Sequence, residues 1–219
     1  MSCGYDLNEL GGKLARLAIA GSATFGRQIA GHAALSGKFK VVGFFDDFVP
    51  AGGEIIGKID EISAQYEAGT FDCLAIGVGY KAMLFRDRLC KQLRNKVPLA
   101  SIRHGNVWVD PSATVGDGCI LMHGSAIDQR VRLGRNCFLS LSVTISHDSK
   151  IGESVYMSPK ATVCGNCTIG ERVFLGAGCV IRDGITICND AIVGAGAVVI
   201  KDIVTPSIYI GNPARLKEV

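Results

Sequence analysis

The chain divides by the rhythm of its apolar positions. From Val109 to Val199 every sixth residue is aliphatic, through Leu121, Leu133, Ile145, Met157, Ile169 and Ile187, with no slip in register. Four residues after each comes a second, mostly small set that includes Ala113, Cys119, Ser125, Cys137, Ala161, Cys167 and Cys179. The residue directly after the aliphatic one is often glycine, as at 116, 134, 152 and 170. A period of six is that of a parallel β-helix, where each hexapeptide supplies one short strand and a turn and three hexapeptides close a triangular coil. The stretch therefore predicts about five coils, roughly 25 Å long at the ~4.8 Å spacing of paired strands. The aliphatic residues stack inward, and the small ones fit where the prism narrows.

The first hundred residues follow another rhythm. An apolar strand over 14–20 runs into a turn bounded by Gly21 and Gly26, and a helix follows to about residue 35. A second strand over 41–45 closes on Asp46 and Asp47. A short helix near 60–66 leads to a strand over 71–78, a charged helix to about 95, and a short strand over 99–102. The alternation predicts a small parallel sheet of nucleotide-binding type. The reading is thus an α/β Rossmann-like domain over 1–105 and a β-helix over 106–219, joined near 104–108.

Composition narrows the function. With 48% hydrophobic residues and a net charge of +3, the chain is neither disordered nor strongly basic, so nucleic acid is not an expected partner. No apolar run reaches the ~18 residues that span a bilayer. The N-terminal stretch carries acidic residues where a signal peptide needs a basic start, so a soluble cytoplasmic protein is expected. The nine cysteines form no disulfide framework of a short secreted domain. Cys164 and Cys167 lack the second pair that a zinc site needs, and Cys119, Cys137, Cys167 and Cys179 fill small inward slots.

Two features carry candidate chemistry. The turn from Gly21 to Gly26 brings backbone N–H groups to a helix N-terminus, a place for phosphate, with Asp46 and Asp47 about twenty residues on. Its spacing is not the dinucleotide fingerprint, so half a Rossmann unit holding one nucleotide fits better than NAD. The second feature is His147 followed by Asp148, the one His–Asp pair in the sequence, at a position expected to point outward. His123 should also point outward, but on another face, so the paired histidines of a zinc carbonic-anhydrase type are absent and no metal is expected. His32 and His104 read as ordinary loop or helix-end residues.

These features together, with the closing stretch IGNPAR at 210–215, resemble the bacterial sugar acyltransferases. That family contains nucleotide-amino-sugar N-acetyltransferases of the bacillosamine and perosamine type and sialic acid O-acetyltransferases. The resemblance covers nearly the whole chain. It implies a left-handed β-helix, a homotrimer, and acetyl-CoA in a groove between neighbouring prisms. His147 would be the general base, oriented and made more basic by Asp148. The Gly165 N–H would lie near the thioester carbonyl, and Ala177 and Ala195 would line the CoA channel. Ala23, Thr24 and Phe25 match the phosphate-side turn, and Asp46, Asp47 and Gly77 match contacts to the nucleotide. Two positions depart from the family pattern. Ser140 stands where an asparagine near the sugar is common, and Tyr156 where a histidine close to CoA is common. The expected activity is acetyl transfer to the amino group of a nucleotide-linked amino sugar in surface-glycan synthesis. Sialic acid O-acetylation and a non-catalytic sugar-nucleotide-binding scaffold are the alternatives.

Overall fold

The computed structural model describes residues 13–217. The acidic N-terminal stretch discussed above lies, apart from Lys13, outside the described residues. Contacts divide the chain into two compact units, one ending at His104 and one beginning at Gly105.

The first unit is a four-stranded parallel sheet with helices between its strands. Strand β1 (Ala15–Ala20), helix α1 (Thr24–Leu35), strand β2 (Phe39–Phe45), strand β3 (Ile55–Gly57), helix α2 (Ile62–Glu67), strand β4 (Cys73–Ile76) and helix α3 (Met83–Leu93) follow in that order. The sheet order is β3-β2-β1-β4, so the chain reverses its winding between β1 and β4. In such sheets the crevice beyond the carboxyl ends of the strands at the reversal is where ligands bind. Leu17, Ile19, Phe45, Leu74 and Ile76 are buried, because strands covered on both faces are apolar throughout.

Two elements differ from the sequence reading. Strand β3 was not foreseen, since three residues are too few to show a period. The short strand over 99–102 reduces to a single bridge between Leu99 and Leu74; Ile102–Arg103 is a strand that does not belong to this sheet.

The second unit is the expected β-helix, left-handed and of about six turns. Its two-residue strands run from Trp108–Val109 to Val198–Val199, each ending on an aliphatic position of the sixfold repeat. Strands pair in parallel with those eighteen residues on, as in Leu139 with Met157 and Ile145 with Val163. The stacked side chains, from Ile127 to Val199, are buried. Cysteines 119, 137, 167 and 179 are fully buried inside the prism, and burial pushes the Cys179 thiol up to about 12. They are packing residues.

The turns are built alike. Three residues after an aliphatic position the backbone becomes left-handed, at Arg130, Asn136, Ser142, Asp148, Ser154, Lys160 and Asn166 in succession. Asn and Asp tolerate this conformation best among non-glycine residues.

The solenoid extends beyond the repeat. Ile203 bridges Ile187 and Tyr209 pairs with Val193, sixteen residues apart where earlier coils use eighteen. The count of five coils from sequence is therefore short. The sixfold register breaks after Val199, although the coil continues to Ile208–Ile210, which Arg215–Leu216 covers from the other side as an antiparallel strand.

Candidate active site

His147 and Asp148 lie at one edge of the prism. The Asp148 N–H donates to the Gln129 carbonyl at 2.9 Å, and Asn166 N–H donates to the His147 carbonyl at 2.9 Å. These bonds tie the pair to the coils on either side. The left-handed backbone at Asp148 (φ 61°) turns its carboxylate back toward the imidazole, and Nδ1 of His147 stands 2.9 Å from Oδ2. Asp148 is not free to serve the histidine alone. Arg130, one coil earlier, grips it with two bonds, Nε to Oδ1 at 2.7 Å and Nη2 to Oδ2 at 2.9 Å. The guanidinium first, and then the imidazole, hold this carboxyl well below the usual carboxylate range. The group is half-buried, and its charge persists through neutral and mildly acidic conditions. Its effect on His147 is orientation, through the contact of Oδ2 with Nδ1.

The other ring nitrogen points to the next coil. A methyl group placed on the α-carbon of Gly165 would lie 2.7 Å from Cε1 and 2.8 Å from Nε2 of His147. The imidazole therefore rests directly over this glycine. The Gly165 N–H takes no part in the coil-to-coil hydrogen bonds, while its carbonyl accepts one from Gly184. A proton acceptor and an uncommitted backbone donor thus lie side by side, the pair an acyl transfer needs.

The remaining residues matched to CoA lie on another edge. The eighteen-residue pitch stacks Gln129, His147, Gly165 and Asp183 on one edge, and His123, Leu141, Pro159, Ala177 and Ala195 on a second. Ala177 and Ala195 are exposed and stacked, with Gly196 N–H bonded to the Ala177 carbonyl. Tyr156 and Ser140 lie along the face leading to this second edge. Tyr156 packs between Phe138 and Phe174, at centroid distances of 4.6 and 5.7 Å. Ser140 is buried, and its carbonyl accepts from the Ser125 hydroxyl. One prism therefore does not bring Ala177, Ala195, Ser140 or Tyr156 to its own His147. His123 occupies the second edge too, with Nε2 3.1 Å from the Asn106 amide.

In the first unit the glycine turn is held by interlocked backbone. A methyl group on Gly26 would fall 1.9 Å from the Gly21 carbonyl, and one on Gly77 would fall 2.8 Å from the Gly26 α-carbon. Only glycines let β1, α1 and β4 meet this closely. Gly77 is buried in that contact and not open to a ligand. The first turn of α1 has no side-chain cap, so the N–H groups beyond Ala23 remain available to an acceptor.

Asp46 is buried beside this turn. Its Oδ2 accepts from the Ser22 N–H at 2.9 Å and hydroxyl at 2.6 Å, and Oδ1 accepts from Phe48 N–H at 2.9 Å. Burial alone would raise the carboxyl; the bonds from Ser22, Phe48 and Val49 outweigh it and hold the group below its ordinary value. Those bonds are complete at neutral pH and are lost only as pH falls through the depressed value. Asp47 accepts from Ile59 N–H at 2.9 Å. A cleft of about 540 Å³ opens here, lined by Ser22, Ala23, Arg27, Asp46, Phe48, Val49, Gly52, Glu54 and Ile55. Of the residues matched to the nucleotide, Ala23 and Asp46 line it; Thr24, Phe25, Asp47 and Gly77 do not. Phe25 packs near Gly79 and under the buried Arg86 guanidinium.

Comparison with known proteins follows the same division. Residues 16–93 match the model of the PglD N-terminal domain, and 148–183 and 166–201 match the bacterial transferase hexapeptide repeats. Over both units the chain is similar to bacterial sugar acetyltransferases. Its likeness to solved acyltransferases extends over nearly the full length. The acetyltransferase domain of PglB from Neisseria gonorrhoeae, solved with acetyl coenzyme A, is 26% identical, with 94% of this chain and 100% of that one covered and a TM-score of 0.84. PerB from Caulobacter crescentus, solved with CoA and GDP-perosamine, is 27% identical over 94% and 99%, with a TM-score of 0.85. WeeI from Acinetobacter baumannii shares the fold at 22% identity over 92% and 99%, with a TM-score of 0.79. No curated protein matches the acyltransferase.

Arg130, Asp183, Arg27 and Glu54 were not singled out from the sequence. Arg130 and Asp183 stand eighteen residues before Asp148 and thirty-six after His147, so the coil pitch could have found both. The salt bridge of Arg27 with Glu54 at 2.8 Å depends on β3, which carried no readable signal. Among the described residues no cluster of three or more His, Cys, Asp or Glu is placed to hold a metal, and no helix is long and apolar enough to cross a membrane.

Proposed function

We propose that this acyltransferase transfers an acetyl group from acetyl-CoA to the amino group of a nucleotide-linked amino-deoxy sugar, in the cytoplasm, for surface-glycan synthesis. The observation that carries the reading is the imidazole of His147 lying over Gly165, held from behind by Asp148. Acetyl-CoA supplies an activated acyl group, so the protein need only position, accept a proton and stabilise an oxyanion. His147 Nε2 accepts the proton of the attacking amine, Asp148 keeps the ring turned, and the Gly165 N–H donates to the carbonyl oxygen. The small exposed Ala177 and Ala195 suit a channel for an extended chain. The solved relatives hold CoA, acetyl-CoA and GDP-perosamine, which supports the pairing of co-substrates. The test is thiol release from acetyl-CoA over a panel of UDP-, GDP- and dTDP-linked amino sugars, with sialic acid as the competing acceptor. Release with sialic acid alone, or with none, would sink this reading.

The division of site residues between two prism edges supports a homotrimer, in which the His147 edge of one copy faces the Ala177 and Ala195 edge of the next. Sedimentation should show a trimer at micromolar concentration. A stable monomer with full activity would contradict it.

The cleft beside Asp46 is the place for the nucleotide. Asp46→Ala with Asp47→Ala leaves the Ser22 and Phe48 donors without their acceptor, at a cost of about 1–3 kcal/mol. The KM for the sugar nucleotide should rise about tenfold or more, with the KM for acetyl-CoA nearly unchanged. Tight NAD binding by calorimetry would instead assign the cleft to a dinucleotide.

A further inference from the structure

His147 stands between two carboxylates, and only one of them has a partner. Asp148, on the Nδ1 side, is engaged by Arg130. Asp183 lies on the Nε2 side, two coils on along the same edge. The point one bond out from the Gly165 α-carbon is 2.8 Å from His147 Nε2 and 2.8 Å from Asp183 Oδ1. Asp183 is exposed and makes no hydrogen bond or ion pair among the described residues. By contrast Asp46, Asp72, Asp148 and Asp190 are each bound to a donor. An uncommitted carboxylate and the base thus converge on one small volume beside the Gly165 N–H.

We infer that Asp183 receives the cationic amino group of the acceptor sugar and selects an amine over a hydroxyl. The inference rests on the N-acetyltransfer reading above. An alkyl amine is largely protonated near neutral pH, and a carboxylate at this point binds it as an ammonium. The bound ammonium first releases one proton to solvent; the neutral amine nitrogen then bonds to the acetyl carbon and becomes positively charged. His147 Nε2 takes its proton, the carbon–sulfur bond breaks, and that proton passes on to the departing thiolate. Asp183 offsets the positive charge on nitrogen throughout. A hydroxyl acceptor develops negative charge on oxygen as it loses its proton, and the same carboxylate opposes it. Asp183 therefore touches the reacting group, and its effect depends on the sign of the acceptor's charge.

The test is Asp183→Asn, which keeps shape and removes charge. The acceptor is the amino-sugar nucleotide turned over fastest in the panel, with its counterpart bearing a hydroxyl in place of the amine. For the amine, kcat/KM should fall about 10–100-fold, the loss of one charge-assisted hydrogen bond. Calorimetry should show weaker binding of the amino sugar and binding of the hydroxyl counterpart within about twofold of wild type, as expected when only a charged contact is removed. Asp183→Glu should recover part of the loss. Unchanged kcat/KM for the amine, or equal weakening of both ligands, would overturn the inference while leaving the acetyltransferase reading intact. A wild-type protein that acetylates no amino sugar would overturn both.

Discussion

Replacing His147 by alanine should lower kcat by about 10²–10⁴-fold, the range for loss of a positioned general base. The amine that attacks the thioester acquires a positive charge and must shed a proton to go forward, and Nε2 of His147 is the acceptor placed for it. The side chain is half-exposed and stacked on Gly165, so its loss leaves no buried cavity and the coil should remain stable. The KM values should move little. Asp148→Asn should cost less, about tenfold, because the imidazole remains and the neighbouring coil still holds the backbone, and a lost orienting bond is worth roughly 1–2 kcal/mol. His123→Ala is the control and should keep most activity, since His123 lies three coils before Ala177 on the second edge and its imidazole is engaged by the Asn106 amide. A folded His147→Ala protein with near wild-type turnover would show that the base lies elsewhere.

Gly165→Ala should be nearly as damaging without removing any functional group. The added methyl would lie 2.7–2.8 Å from the imidazole and 2.8 Å from the Asp183 carboxylate, closer than carbon tolerates. Both neighbours are the ends of side chains, so they can move aside at little cost to stability. What moves is the base itself. A displacement on the order of 1 Å at a reacting centre can cost about 10²-fold in rate. We therefore expect kcat to fall by roughly 10²-fold with thermal unfolding close to wild type. A variant that loses stability and activity together would point to a structural role for the glycine. One that keeps full kcat would remove Gly165 and the Nε2 face of His147 from the reaction path.

The prism was legible because its period is rigid. An aliphatic residue every sixth place has no other economical structure, and His147 and Asp148 fell at a turn that the same period locates. The α/β unit was legible in its long elements, β1, α1 and α3. It was not legible in β3, which is three residues long and gains its identity by pairing with β2. Asp46 was singled out for a ligand, yet its carboxylate is already occupied by Ser22 and Phe48. The same reasoning overlooked Arg27 and Glu54 because nothing local marks a cleft rim. Arg130 and Asp183 were missed for another reason. Motif reading looks a few residues away, whereas a solenoid makes neighbours of residues eighteen apart. The end of the repeat misled similarly: beyond Val199 the coil shortens its pitch to sixteen, which a fixed period cannot follow.

The eighteen-residue pitch also constrains how the gene can change. His147, Gly165 and Asp183 share an edge only while each coil between them is whole. A single inserted or deleted codon in 148–182 would shift every later residue by one place against the coils before it, moving Asp183 off the turn position it shares with His147 and pointing the aliphatic stack outward. Loss or duplication of eighteen codons in the last coils, beyond Asp183, would instead shorten or lengthen the prism and leave the edge intact. Viable length variants of this protein should therefore come in steps of one full coil, except where a loop bulges outward at a turn.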